Sequence, residues 1–139
     1  QWNQGRANGT PGTALVLGGV IENVNLVTSF VLPHEVGHCL NLFHTHHGQC
    51  WEGNCDETPN GANQSNNCTT CGDFVCDTWA DPNLVQSVNI TTCAWNGILR
   101  TNPNNGNCTA TPGTYQPLTN NIMSYSPPNC LQTFTNGQG

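Results

Sequence analysis

Lysine is absent from this 139-residue chain, and its only two cationic side chains, Arg6 and Arg100, stand far apart in sequence. A chain without a basic patch cannot neutralise a run of phosphates, so no nucleic-acid partner is expected. Charge of both signs is scarce: 7% of residues are charged and the formal net charge is -6. A disordered polar chain or an ordinary cytosolic domain would carry several times more. No apolar run approaches the ~18 residues of a membrane span, so no membrane partner is expected either. Internal repeats are missing, and the length suits one domain. With 35% hydrophobic residues the core is modest. With so few apolar residues, the core is not one made stable by size alone.

Cysteine, by contrast, is abundant. Nine occur, at 39, 50, 55, 68, 71, 76, 93, 108 and 130. The polar residues are mostly Asn, Thr, Gly and Ser, and sequons fall at Asn8, Asn63, Asn67, Asn89 and Asn107. These five asparagines are glycosylation candidates. Dense cysteine with sequons points to an oxidising, extracellular compartment, so a secreted protein is expected. The chain does not begin with Met and shows no leader, which reads as a mature or excised piece of a secreted precursor. Nine is odd, so one thiol is left over. Cys39, inside an apolar helical pattern, is the best candidate for a free one.

Along the chain, residues 1–13 read as loop and residues 14–21 as a β-type apolar run broken by Gly18 and Gly19. Residues 29–43 form the one convincing helix, with Ser29 or Leu32 ahead of its first turn. Pro33 is tolerable there because early helical amides lack partners anyway. Residues 45–112 are long, polar and dense in Cys, which demands organisation by disulfides or ions. Apolar residues return around Asn121-Ile-Met-Ser-Tyr125, and residues 133–138 resemble the start of a helix.

The chemistry concentrates in His34-Glu-Val-Gly-His38. Positions i and i+4 share a helix face, so both imidazoles reach one ion. Glu35 is turned by about 100° from His34, close enough to meet a water on that ion without ligating it. His44 follows six residues after His38. On a continuous helix it would point about 120° away, so the chain must turn sharply near residue 41. Such a turn needs positive φ, where Gly is best and Asn next, and Asn41 stands at that place. Three neutral imidazoles leave a fourth zinc position for water, the arrangement of a catalytic rather than a structural site. Zinc would bring that water's pKa toward neutrality, and Glu35 would take its proton and pass it to the leaving amine. The plainer alternative is a polar helix face with satisfied histidines.

The stretch from His34 to His44 resembles the long zinc motif of the metzincin metalloproteases, with Asn41 where that motif carries Gly. Asn121-Ile-Met-Ser-Tyr125 resembles their Met-turn. The resemblance implies Met123 as the turn methionine beneath the zinc and Tyr125 as a residue assisting at the oxyanion. Within the group, the likeness is to the pappalysin family. It is carried by His44-Thr-His-His-Gly-Gln-Cys50, by Gly72-Asp-Phe-Val-Cys-Asp-Thr-Trp-Ala-Asp-Pro-Asn83, and by Asn121 to Tyr125 followed by Cys130 and Phe134-Thr-Asn-Gly-Gln138. Trp79 replaces a usual Pro, and residues 51–71 look like an insertion. The fold implied is an α+β, zincin/metzincin-like catalytic domain, loop-rich and disulfide-stapled. It is truncated at the N-terminal sheet and the C-terminal helix, with residues 119–130 as the Met-turn. The resemblance also implies Cys93–Cys130 and Cys50–Cys108 disulfides, leaving Cys55, Cys68, Cys71 and Cys76 to close the insertion.

Lesser signals complete the reading. Asp56, Glu57, Asp73, Asp77 and Asp81 crowd a polar loop. Hard oxygen donors suggest calcium, against a plain solvated acidic loop; the pappalysin likeness puts Asp77 foremost, with Asp73 beside it. His46 and His47 could serve a second metal, but solvated surface is the preferred reading. The function expected is a secreted zinc endopeptidase acting on protein or peptide substrates. The alternative is a non-catalytic extracellular structural or assembly glycoprotein on a zincin scaffold. Self-assembly, or a second chain completing the domain, is a further expectation. A third reading is a latent enzyme with a cysteine thiolate on the zinc.

Overall fold

In a computed structural model, residues 30–48, 55–59, 66–99 and 114–139 are described. The β-type run at 14–21, Asn8, Asn63, Asn107 and the Cys50–Cys108 pair lie outside them. The helix α1 spans Val31–Cys39. It is shorter than the expected 29–43, and its boundaries have local causes. Phe30, not Ser29 or Leu32, is the N-cap, and its carbonyl accepts the His34 amide at 3.1 Å. Pro33 sits in the first turn, where its missing N–H leaves no bond unmade.

At the other end Asn41 adopts φ 75, the left-handed conformation. The Asn41 amide donates to the His38 carbonyl at 3.1 Å and the Leu42 amide to the Gly37 carbonyl at 3.0 Å. This pair of bonds is a Schellman cap. It stops the helix at Cys39, four residues before the apolar pattern runs out.

The remaining described residues are loop-rich. Two isolated bridges, Val88 with Trp95 and Asn121 with Thr133, a further bridge residue at Pro59, and a 3₁₀ turn at Asn136–Gln138 are the other regular features among them. Cross-links organise the Cys-dense region: Cys55–Cys71 and Cys68–Cys76 overlap in sequence, and Cys93–Cys130 ties the 88–95 turn to the later chain. Cys39 is a free thiol. Leu84, Val88 and Cys130 form a small core that Cys93 and Trp95 cover, and Trp95 also reaches a second cluster of Ala80 and Tyr115.

Within residues 133–138, where a helix start is expected, the structure forms this short 3₁₀ turn. Thr135 and Gln138 close it as a capping box. Asp77 fastens it from across the chain, accepting from Thr135 Oγ1 at 2.7 Å and from the Gly137 amide at 2.8 Å. A Cβ at Gly137 would meet Val75 Cγ1 at 2.9 Å, so the close approach requires glycine. Among the described residues no helix is long and apolar enough to cross a membrane.

Candidate metal centre

α1 carries His34 and His38 on one face, and the Schellman turn at Asn41 returns the chain so that His44 meets them. His38 Nε2 lies 3.0 Å from His44 Nε2, which lies 3.2 Å from His34 Nε2. Tetrahedral metal–nitrogen bonds of about 2.0–2.1 Å set donors about 3.3–3.4 Å apart, so the three nitrogens stand close to the spacing one ion needs. Among the described residues, these three form the one group of three or more His, Cys, Asp or Glu able to hold a metal ion. All three are half-buried, which leaves the group open to solvent on one side.

The hydrogen bonds behind the rings fix which nitrogen faces the centre. His34 Nδ1 is 2.7 Å from the Ile122 carbonyl and His38 Nδ1 is 2.8 Å from the Leu42 carbonyl. A carbonyl only accepts, so both Nδ1 atoms carry the proton and both Nε2 atoms present lone pairs. With His44 in the tautomer that bares Nε2, three lone pairs meet at one point. Backbone carbonyls in this position orient metal-ligating histidines and raise their basicity.

The turn at residues 121–125 supports the group from below. Met123 is fully buried. A Cβ on Gly37 would collide with Met123 Sδ and meet its Cε at 3.3 Å, so the methionine packs directly under the helix glycine. Asn121 shapes the turn: its Oδ1 accepts the Met123 amide at 2.8 Å, and its Nδ2 donates to Gln138 at 2.8 Å. The Tyr125 ring lies 4.5 Å from the His44 ring and 6.2 Å from that of His34, at the rim of the group. Glu35 stands half-buried on α1 between His34 and Val36.

Thr45 locks the third histidine's segment. Its amide donates to the Met123 carbonyl at 3.2 Å, and its hydroxyl donates to Asp81 Oδ2 at 2.6 Å. Burial pushes the Asp81 carboxyl up to about 6, against the opposing pull of Thr45, the Asn83 amide and the nearby His44. Neither Thr45 nor Asp81 was legible as part of this site, because nothing in their sequence spacing announces a contact across 36 residues.

His46 requires a correction. It is 1% exposed rather than solvated, and its ring stacks on His44 at 5.0 Å and meets the Tyr125 ring at a tilt, 4.4 Å away. The return of the chain after Asn41 is what turns it inward. His47 is half-buried and stacks on Phe43 at 4.2 Å, so it too is more than a solvated surface residue.

The acids suggested for calcium are engaged by protein donors. Asp73 accepts the Thr78 hydroxyl at 2.8 Å and the Val75 amide at 3.0 Å, and Asp77 holds the 3₁₀ turn. Asp73 is buried, which drives its carboxyl up to about 7 despite those bonds, with the charges of Asp81 and Asp77 adding to the rise. The free Cys39 stands outside the histidine group. Compared with protein-family models, curated proteins and solved structures, the chain has no match.

Proposed function

We propose that the protein is a secreted zinc-dependent endopeptidase. The observation that carries this reading is the convergence of three imidazole Nε2 atoms, two with tautomers set by carbonyls, beside a glutamate on the same helix. Three imidazoles suit zinc in a tetrahedral site with one position left for a reactant. The likeness of the His34–His44 stretch to metzincins supports the same choice. Three disulfides agree with an extracellular setting.

A zinc ion bound there would polarise a scissile carbonyl and acidify water. The chain's own residues supply the rest. Glu35 accepts a proton from the attacking water and returns it to the leaving amine. Tyr125, beside His44, donates its hydroxyl to the oxygen that gains charge as the carbonyl carbon becomes tetrahedral. Met123 and Asn41 act through placement, one beneath α1 and the other at its end.

The test is cleavage of a mixed peptide library with and without a metal chelator, beside E35Q. Chelator-sensitive cleavage is expected. E35Q should keep the metal and lose at least about 10²-fold in rate, the contribution of a positioned general base. Metal bound in both proteins with no cleavage by either would instead favour a non-catalytic extracellular scaffold.

A further inference from the structure

Two of the five sequons fall on described residues, Asn67-Cys-Thr69 and Asn89-Ile-Thr91, and the fold treats them oppositely. Asn67 is half-buried and its amide is used at both ends. Its Nδ2 donates to the Asp56 carbonyl at 2.9 Å, and its Oδ1 accepts from the Thr58 amide at 2.9 Å and the Thr58 hydroxyl at 3.2 Å. Its own carbonyl accepts the amides of Thr70 and Cys71. The neighbouring Cys68 is bridged to Cys76, and Cys71 to Cys55. A sugar on Nδ2 would have to occupy the space in which Asn67 joins the 55–59 segment to this double cross-link.

Asn89 stands at the tip of the 88–95 turn. Asn89, Ile90, Thr91 and Thr92 are all exposed, Ile90 at 65%. The Asn89 Oδ1 accepts the Thr91 amide at 2.9 Å and the Thr92 amide at 3.0 Å, an Asx-turn. Because Oδ1 faces the backbone, Nδ2 on the same carbon faces away from it. The tip itself is rigidly held. The Asn89 amide donates to Ala94, the Cys93 amide donates back to Asn89, and Cys93 is bridged to Cys130. From the other side, Asn129 Nδ2 donates to the Ile90 carbonyl at 2.6 Å.

We propose that Asn89 is N-glycosylated in the native protein and that Asn67 is not. The donor is an oligosaccharide linked through diphosphate to a lipid. Asn89 Nδ2 attacks the sugar's C1, the N–C1 bond forms, and the C1–O bond to the diphosphate breaks. The lipid diphosphate leaves with the electron pair, and the Nδ2 proton passes to a base of the transferase. Transfer precedes folding, so the fold acts as the filter. A glycan on Asn67 would have to crowd the half-buried joint where Nδ2 meets the Asp56 carbonyl at 2.9 Å, whereas a glycan on Asn89 leaves from an exposed turn tip. The glycan also shades Ile90, an apolar side chain otherwise presented to water.

The test expresses the full chain behind a supplied secretion signal in a glycosylating eukaryotic host, so it is independent of the metal site and of natural export. The disulfide-intact protein is collected from medium, or from the secretory lumen if export is slow. It is deglycosylated enzymatically in heavy-oxygen water and mapped by mass spectrometry. Label on residue 89 and none on residue 67 is expected. N89Q and T91A should each lose one glycan's mass, and N67Q should lose none. An unlabelled Asn89, or a labelled Asn67 in the disulfide-intact protein, overturns the proposal.

Discussion

Asp73 shows how a single buried group ties this protein's stability to pH. Its carboxyl titrates near 7 instead of 3.8 because burial penalises the charged form more than Thr78 and Val75 compensate. Between those two values the folded state holds a proton that the unfolded state has released. Stability contributed by Asp73 is therefore greatest at the acid end of that window and falls as pH rises through it. A shift of that size corresponds to on the order of 4 kcal/mol. D73N keeps an acceptor for Thr78 and Val75 but cannot ionise. Urea denaturation of metal-free protein should show D73N gaining on the parent steadily from pH 4 to pH 7, and a pH-independent gap would refute the assignment. A metal held by the three histidines would show the opposite dependence, since ligation needs neutral imidazoles and weakens on acidification. Among residues, the three histidines of the candidate metal group were legible because an i, i+4 pair and a third His after a turn-forming Asn favour convergence on one ion over a plain polar helix face. The inward turn of His46 was not, because a histidine after a bend is indistinguishable in sequence from one on the surface.

The end of α1 decides whether the metal group assembles at all. Asn41 at φ 75 reverses the chain so that His44 can reach His34 and His38. Replacing it by Gly should leave metal binding intact. A β-branched residue cannot hold that φ without costing about 1–2 kcal/mol. N41V should accordingly lower metal affinity by about tenfold or more, as loss of an orienting element does. Equal affinities of N41V and N41G in a competitive chelator titration would show that the turn does not matter. The middle of the helix offers a sign test. Alanine at a helix position is worth about 1 kcal/mol over glycine. At Gly37, however, the added methyl enters the space of Met123, and overpacking of that kind costs about 1–3 kcal/mol. G37A should destabilise the parent yet stabilise M123A, read from denaturation of all four proteins; the same sign in both backgrounds would mean that the two residues do not touch. The positive φ at residue 41 was legible from geometry alone, since His44 could not otherwise join the group. The helix length was not, because Leu40, Leu42 and Phe43 continue the apolar pattern after the backbone has left it.

As a whole, the described chain replaces a large core with cross-links. Helical and strand periodicities say little about a region where two isolated bridges are the only ladder pairs described, which is why most of its path was illegible beforehand. What sequence could supply was a demand: a long polar stretch needs disulfides or ions. The Cys93–Cys130 pair followed from a family likeness, whereas the partners inside Cys55, Cys68, Cys71 and Cys76 needed coordinates. The three bridges enclose sequence separations of 16, 8 and 37 residues. Loop-closure entropy then ranks them at about 3, about 2.5 and about 4 kcal/mol respectively. Packing reinforces that order. Cys130 is fully buried between Leu84 and Val88, while Cys55 and Cys76 are exposed. Removal of the last bridge also frees the segment running back from Cys130 to Met123, the residue that underlies α1. The C93A/C130A double variant should therefore lose the most stability and also bind metal more weakly. C68A/C76A should lose the least and keep metal affinity. Denaturation and chelator titration of the three double variants would check both orders together. A metal affinity unchanged in C93A/C130A would mean that the turn under the histidines is held by its own hydrogen bonds, Asn121 to Gln138 and Thr45 to Met123, without help from the disulfide.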